Sequence, residues 1–174
     1  MVFIVEDYEV SETTMALMVY AHPQHQTKIL DLEGDFITSE SSRDLLNHAC
    51  LNEGCTAEGR RAATILATNY IQKTPLLVNQ VEGIIAIPTH SPDQHICCWI
   101  FLHHVLQVTP ITPAKCKITF QNYTEIELDV SAATIREQMK KASIVQTRFC
   151  SNQRYAFWLN PKPRRKMTKR RLEE

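Results

Sequence analysis

Apolar residues in this chain fall into short runs separated by turn formers, and the stretch from Pro75 to Gln107 holds most of them. Pro75-Leu76-Leu77-Val78, Ile84-Ile85-Ala86-Ile87 and Ile96 to Leu102 are three such runs, and the last continues through His103-His104-Val105-Leu106. Asn79 to Gly83 and Pro88 to Asp93 place Asn, Gly and Pro between them. Runs of this length, rich in Ile, Val and aromatics, predict strands buried on at least one face. The short turns join them into an antiparallel meander, the predicted core sheet.

The flanking pattern adds strands on one side and a helix on the other. Tyr8 to Val10 and Met15 to Tyr20 are predicted as strands. Lys28 to Leu32 and Phe36 to Thr38 form a hairpin about Glu33-Gly34-Asp35. Ser41-Ser42 then caps a helix burying Leu45, Leu46 and Ala49, and Gly54 suits its end. Thr56 caps a second helix from about Ala57 to Tyr70, with Ala62, Ile65, Leu66 and Tyr70 as its buried stripe. Beyond the meander, Val108 to Pro113 is predicted as a loop, and Lys117 to Phe120 with Thr124 to Val130 as a hairpin. Ser131 caps a last helix reaching Phe149, with Ile135, Met139, Ala142, Val145 and Phe149 on one stripe. The predicted class is α+β: a mainly antiparallel sheet, a helical pair after the first strands and one helix near the C-terminus. Residues 1–150 are expected to form one such domain, and residues 151–174 a C-terminal segment.

Composition changes the picture in two ways. The net charge is zero, yet residues 1–60 hold 3 Lys/Arg against 11 Asp/Glu, and residues 61–174 hold 16 against 8. The two portions therefore carry −8 and +8. Lys162 to Arg171 alone holds seven basic residues and no acid. A basic surface of this kind suits nucleic acid, and an ordinary solvated surface with a charged tail accounts for the same counts. No apolar run approaches the roughly 20 residues of a membrane span. Met1 to Val5 lacks the basic start of a secretory signal. The six cysteines are accordingly expected as free thiols in a reducing cytoplasm.

Catalytic and metal chemistry find little support. Cys97 and Cys98 are adjacent, so on a strand they point to opposite faces. Cys50 and Cys55 do not form a Cys-x₂-Cys knuckle. The four glycines are too scattered for a phosphate loop. No cofactor or metal is implied, and the chain is read as a non-enzyme. A thiol- or metal-dependent enzyme using Cys98 and His104 is the alternative, and a protein-interaction module with an acidic face is a third reading. Arg60 and Arg61 stand off the predicted stripe in the first turns of the second helix, where the helix dipole favours anions. An external phosphate suits them, and so does plain exposure to water.

Several pieces of the sequence carry a resemblance. They are Gly59-Arg60-Arg61, Lys73-Thr74-Pro75-Leu76-Leu77-Val78, Ile87-Pro88-Thr89, Cys98-Trp99-Ile100, His104-Val105, Ile118-Thr119-Phe120 and Phe157-Trp158-Leu159-Asn160-Pro161. In order and spacing they resemble the bacterial competence transcription factor ComK. The resemblance implies a cytoplasmic activator of DNA-uptake genes. It implies binding to AT-rich boxes of double-stranded DNA through the minor groove, as a homo-oligomer. A narrow A-tract groove concentrates negative potential and attracts Arg and Lys. Arg60, Arg61, Lys73, Arg136, Lys140, Lys141 and Arg148 are the candidate contacts. Phe157 to Pro161 resembles the family's segment recognised by a Clp-protease adaptor (MecA). In extended chain, Phe157 and Leu159 project to one side and fill two pockets, while Trp158 points away. Where the family carries a longer, partly apolar segment after this element, this sequence has Pro163 to Arg171, a departure from the pattern.

Overall fold

The structure is a computed structural model that describes residues 2–150. The Phe157–Pro161 element and the basic tail lie outside the described residues. The elements run β1 (Val2–Ile4), β2 (Thr14–Val19), β3 (Thr27–Asp31), β4 (Gly34–Thr38), α1 (Ser42–Asn52) and α2 (Ala57–Thr68). Then come β5 (Leu76–Asn79), β6 (Ile84–Pro88), β7 (Trp99–Phe101), a 3-10 turn (Leu102–His104), β8 (Val105–Thr112), β9 (Lys115–Phe120), β10 (Glu125–Leu128) and α3 (Ala132–Phe149). The expected α+β class, the helical pair and the final helix are all present. Each predicted cap is made: Ser41, Thr56 and Ser131 accept from the backbone N–H of Asp44, Gly59 and Thr134.

Seven strands form one sheet in the order β1-β4-β3-β2-β7-β6-β5, and β10-β9-β8 form a second. All pairs are antiparallel except β1 with β4. The predicted meander is β5-β6-β7, and β2 extends it. Its strands alternate between two cores. Leu77, Ile85, Ile87 and Ile100 join Ile118, Phe120, Ile135, Ala142 and Val145 on the face covered by the second sheet and α3. Leu76, Val78, Ile84, Ala86, Trp99 and Phe101 join Leu45, Leu46 and Ala49 of α1 on the other face.

The structure departs from the pattern-based expectation at five places. Tyr8 to Val10 is not a strand. Its Tyr8 hydroxyl donates to Asp31 and lies 2.7 Å from Thr14 Oγ1, which straps the segment across β2 and β3, and Val2–Ile4 makes the edge strand instead. The hairpin turn is Leu32-Glu33 rather than Glu33-Gly34-Asp35, since Asp31 pairs with Gly34. The third apolar run breaks at the 3-10 turn, and from Val105 the chain crosses to the second sheet. Val108 to Pro113 is not a loop, because β8 spans most of it; β8 is an edge strand, where a proline such as Pro110 removes no needed donor.

The fifth departure is the buried stripe of α2. Leu66 is 88% exposed and Ala62 is exposed, while Thr64 is 1% exposed. The inward residues are small or self-satisfied. Thr64 donates to the Arg60 carbonyl at 3.0 Å and Thr68 to the Thr64 carbonyl at 2.7 Å, so these hydroxyls need no outside partner. Close approach of the helix to α1 and β5 outweighed the apolar pattern. In the β9–β10 connection the turn is longer than two residues, and Tyr123 itself takes the left-handed conformation at φ 65°.

This packing generates two predictions. Ile135, fully buried between α3 and the sheets, costs about 2–5 kcal/mol when changed to Ala, whereas Leu66→Ser changes stability by no more than about 0.5 kcal/mol, both read from urea midpoints. A large loss for Leu66→Ser would restore the original stripe. The second concerns His104, whose Nε2–H donates to the Glu12 carbonyl at 2.7 Å while His103 Nε2 lies 3.0 Å from the same oxygen. Burial first, and His103 second, hold the His104 pKa below its ordinary 6.5. The unfolded chain therefore takes the proton first, and stability falls as pH drops below about 6.5 towards the depressed value. His104→Gln, which keeps a donor to Glu12, loses less stability than the natural chain between about pH 7.5 and 5.5. Equal losses would show that His104 does not contribute.

Candidate nucleic-acid interface

The loop between α2 and β5 turns sharply, with Asn69 and Lys73 both in the left-handed region at φ 61° and 48°. That turn gathers cations from three separate parts of the chain. Arg61, on α2, places Nη2 3.4 Å from the Ile71 carbonyl and pairs with Glu58 at 3.6 Å. Lys141, on α3, donates to the Gln72 carbonyl at 3.2 Å and lies 5.4 Å over the Tyr70 ring. Lys73 reaches across to donate to the Thr89 carbonyl at 3.3 Å. Lys140 stands beside Lys141 on α3, exposed and 3.6 Å from Glu137. Arg61, Lys73 and Lys141 therefore share one region, and Lys140 is the residue before Lys141 on α3.

The other three do not join them. Arg60 is half-buried, and its Nε is shut off from solvent with no partner among the described residues. Its charge bears on the Cys50 and Cys150 thiols of α1 and the α3 terminus, so it faces the helix packing rather than standing off it. Arg136 donates to the Val108 carbonyl at 2.8 Å and ties α3 to β8. Arg148 is exposed in the last turn of α3, where a cation suits the helix dipole. It lies roughly 10 Å along the helix from Lys141.

Thr89 opens the hydroxyl-rich loop before β7. Its Oγ1 accepts from Cys98 N–H at 3.0 Å and contacts His90 Nδ1 at 3.0 Å, so it serves the turn. Burial first, then Lys73, lowers the His90 pKa and keeps it neutral near pH 7.

Cys98 and His104 are not neighbours. The Cys98 thiol sits against the Val19 backbone, whereas His104 bonds Glu12, so they lie at opposite ends of β2, on the order of 20 Å apart. Burial is the first cause raising the Cys98 thiol, as it is for Cys97, Cys116 and Cys150, and it pushes Cys50 up to about 11. A thiol raised in this way is a poor nucleophile. Among the described residues no group of three or more His, Cys, Asp or Glu side chains is placed to hold a metal ion. No helix among them is long and apolar enough to cross a membrane.

Sequence reasoning assigned Tyr70 to a core stripe and did not single out Gln138. Tyr70 is half-exposed beneath Lys141. Gln138 is 3% exposed on α3. Its signal was present, since Ile135, Gln138, Ala142 and Val145 share one helical stripe and only Gln138 is polar.

Comparison with known proteins bears on the whole chain. A relative from Bacillus subtilis (strain 168), described as "Competence transcription factor", is 26% identical over 171 residues, covering 92% of this chain and 87% of the relative. No solved structure matches the chain. The family model described as ComK protein matches residues 5–154, spanning nearly all of the described fold, and the chain belongs to the ComK family.

Proposed function

We propose that this chain is a DNA-binding activator of competence genes, acting in the cytoplasm without enzymatic chemistry of its own. The observation that carries the reading is the gathering of Arg61, Lys73 and Lys141 around residues 70–73, with Lys140 next to Lys141 on α3, in a member of this family. Three of these cations are oriented by carbonyls or by a ring, which lowers the cost of fixing long side chains against a phosphate backbone. AT-rich boxes read through the minor groove suit a protein that gathers cations on a loop. The minor groove carries little hydrogen-bond code, and its width in A-tracts draws in basic side chains. Arg60 and Arg136 serve the fold in this reading, and Arg148 is a peripheral contact. Binding as a homo-oligomer matches paired boxes, and residues 1–150 act as one DNA-binding unit.

The adaptor reading is kept for Phe157 to Pro161, on the residue types alone. Phe157 and Leu159 are the pocket-filling pair, Trp158 and Asn160 separate them from each other and from Pro161, and Pro161 blocks continuation into regular structure.

Two measurements test these readings. In electrophoretic titrations the chain prefers an A-run/T-run duplex over a G·C-rich duplex of equal length, and affinity falls steeply with salt. Lys73→Ala with Lys141→Ala lowers the log–log salt slope by about two, because each phosphate contact contributes about 0.9. Arg60→Ala costs stability and leaves that slope unchanged. Equal affinity for the two duplexes would remove the minor-groove reading, and a flat salt dependence would remove DNA binding. Separately, a peptide of residues 154–163 binds the Clp adaptor and loses binding when Phe157 and Leu159 become Ala. An inert natural peptide would end that reading.

A further inference from the structure

Ile71 is 66% exposed in the middle of the α2–β5 loop, on the stretch of backbone that Arg61 and Lys141 hold and that Lys73 closes. We infer that Ile71 is the sequence-reading residue of this surface: its side chain enters the minor groove and selects A·T over G·C pairs, while the cations supply affinity without sequence. This inference rests on the DNA reading and names the residue that gives that reading its specificity.

A single exposed aliphatic residue is ordinary on a protein surface. The backbone beneath this one is fixed more firmly than a solvent loop needs. Each carbonyl of residues 70–72 meets a side-chain donor. The Thr74 hydroxyl donates to the Tyr70 carbonyl at 2.6 Å, Arg61 Nη2 lies 3.4 Å from the Ile71 carbonyl, and Lys141 donates to the Gln72 carbonyl at 3.2 Å. The Ile71 N–H donates to the Asn69 carbonyl at 3.1 Å. Asn69 and Lys73 bracket the stretch in the left-handed conformation, which a lysine adopts at a cost and keeps only where its surroundings enforce it. Isoleucine is also stiff about its first side-chain torsion. Ile71 is thus held out in one place, and little freedom remains to be lost when it meets a partner.

The partner that fits is polyanionic at its rims and accepts an aliphatic group between them. The minor groove has both properties, and proteins that bind it insert side chains such as Ile and Leu. Arg61 and Lys141 hold adjacent residues of the loop, so cations flank the point at which Ile71 would enter. An A·T pair shows only acceptors on the groove floor, whereas a G·C pair adds the guanine amino group. That group stands up from the floor, in the space an inserted side chain needs. An aliphatic side chain also leaves it a desolvated donor without a partner. Ile71 therefore tolerates A·T and penalises G·C.

Electrophoretic titrations of the full chain compare three duplexes of equal length: A-run/T-run, G·C-rich, and the G·C-rich one with inosine in place of guanine, which removes the amino group. The natural chain should bind the A-run/T-run and inosine duplexes about tenfold more tightly than the guanine duplex. Ile71→Ser should bind the guanine and inosine duplexes within about twofold of each other, at an unchanged salt slope, because no phosphate contact is lost. Its urea midpoint should match that of the natural chain, since the side chain is exposed. Ile71→Leu should keep the preference. If Ile71→Ser still prefers inosine to guanine, the inference is overturned and the DNA reading stands. A lowered salt slope in Ile71→Ser would also overturn it, by showing that Ile71 only positions the cations. A flat salt dependence in the natural chain would remove the DNA reading and this inference with it.

Discussion

Strands β5, β6, β7 and β2 bury side chains on both of their faces, and most of the fold depends on that demand. A strand alternates its side chains, so two-sided burial needs a cover on each side. α1 and α2 supply one cover, and α3 with the second sheet supplies the other. Fully buried residues such as Ile85, Ile87, Ile100 and Phe101 are each worth roughly 1.5–3 kcal/mol relative to exposure. The same demand sends the chain out of the sheet after Phe101. The 3-10 turn at Leu102–His104 redirects it, and β8 begins the second sheet that closes the open face.

Covering both faces is also what assembles the basic region. α2 and α3 belong to opposite covers and are far apart in sequence, yet both reach the margin of the sheet beside β5. The α2–β5 loop runs between them. Arg61 and Lys141 therefore meet the same short stretch of backbone from two sides. Of the acidic residues of the first third, Asp31 and Asp35 lie on β3 and β4, whereas Asp44 lies on α1 and Glu58 lies on α2 beside Arg61.

The legible part of the fold comes from local physics. Short continuous apolar runs bounded by turn formers marked the meander, caps at Ser41, Thr56 and Ser131 marked the helix starts, and the α3 stripe was correct, because each depends on neighbours within one or two turns of chain. The α+β class followed from their order. The apolar pattern misplaced α2, because a helix packing closely against two elements buries small and self-bonded residues, leaving Leu66 in water. It also mistook the Val108–Thr112 part of β8 for a loop, since only the sheet order shows that Pro110 lies on an edge strand. Residue type alone nominated seven basic side chains. Which of them meet at one loop, and why Arg60 turns inward, depends on how α2 and α3 sit on the sheet. The separation of Cys98 from His104 along β2 is likewise a distance through space, and no local pattern along the chain encodes it.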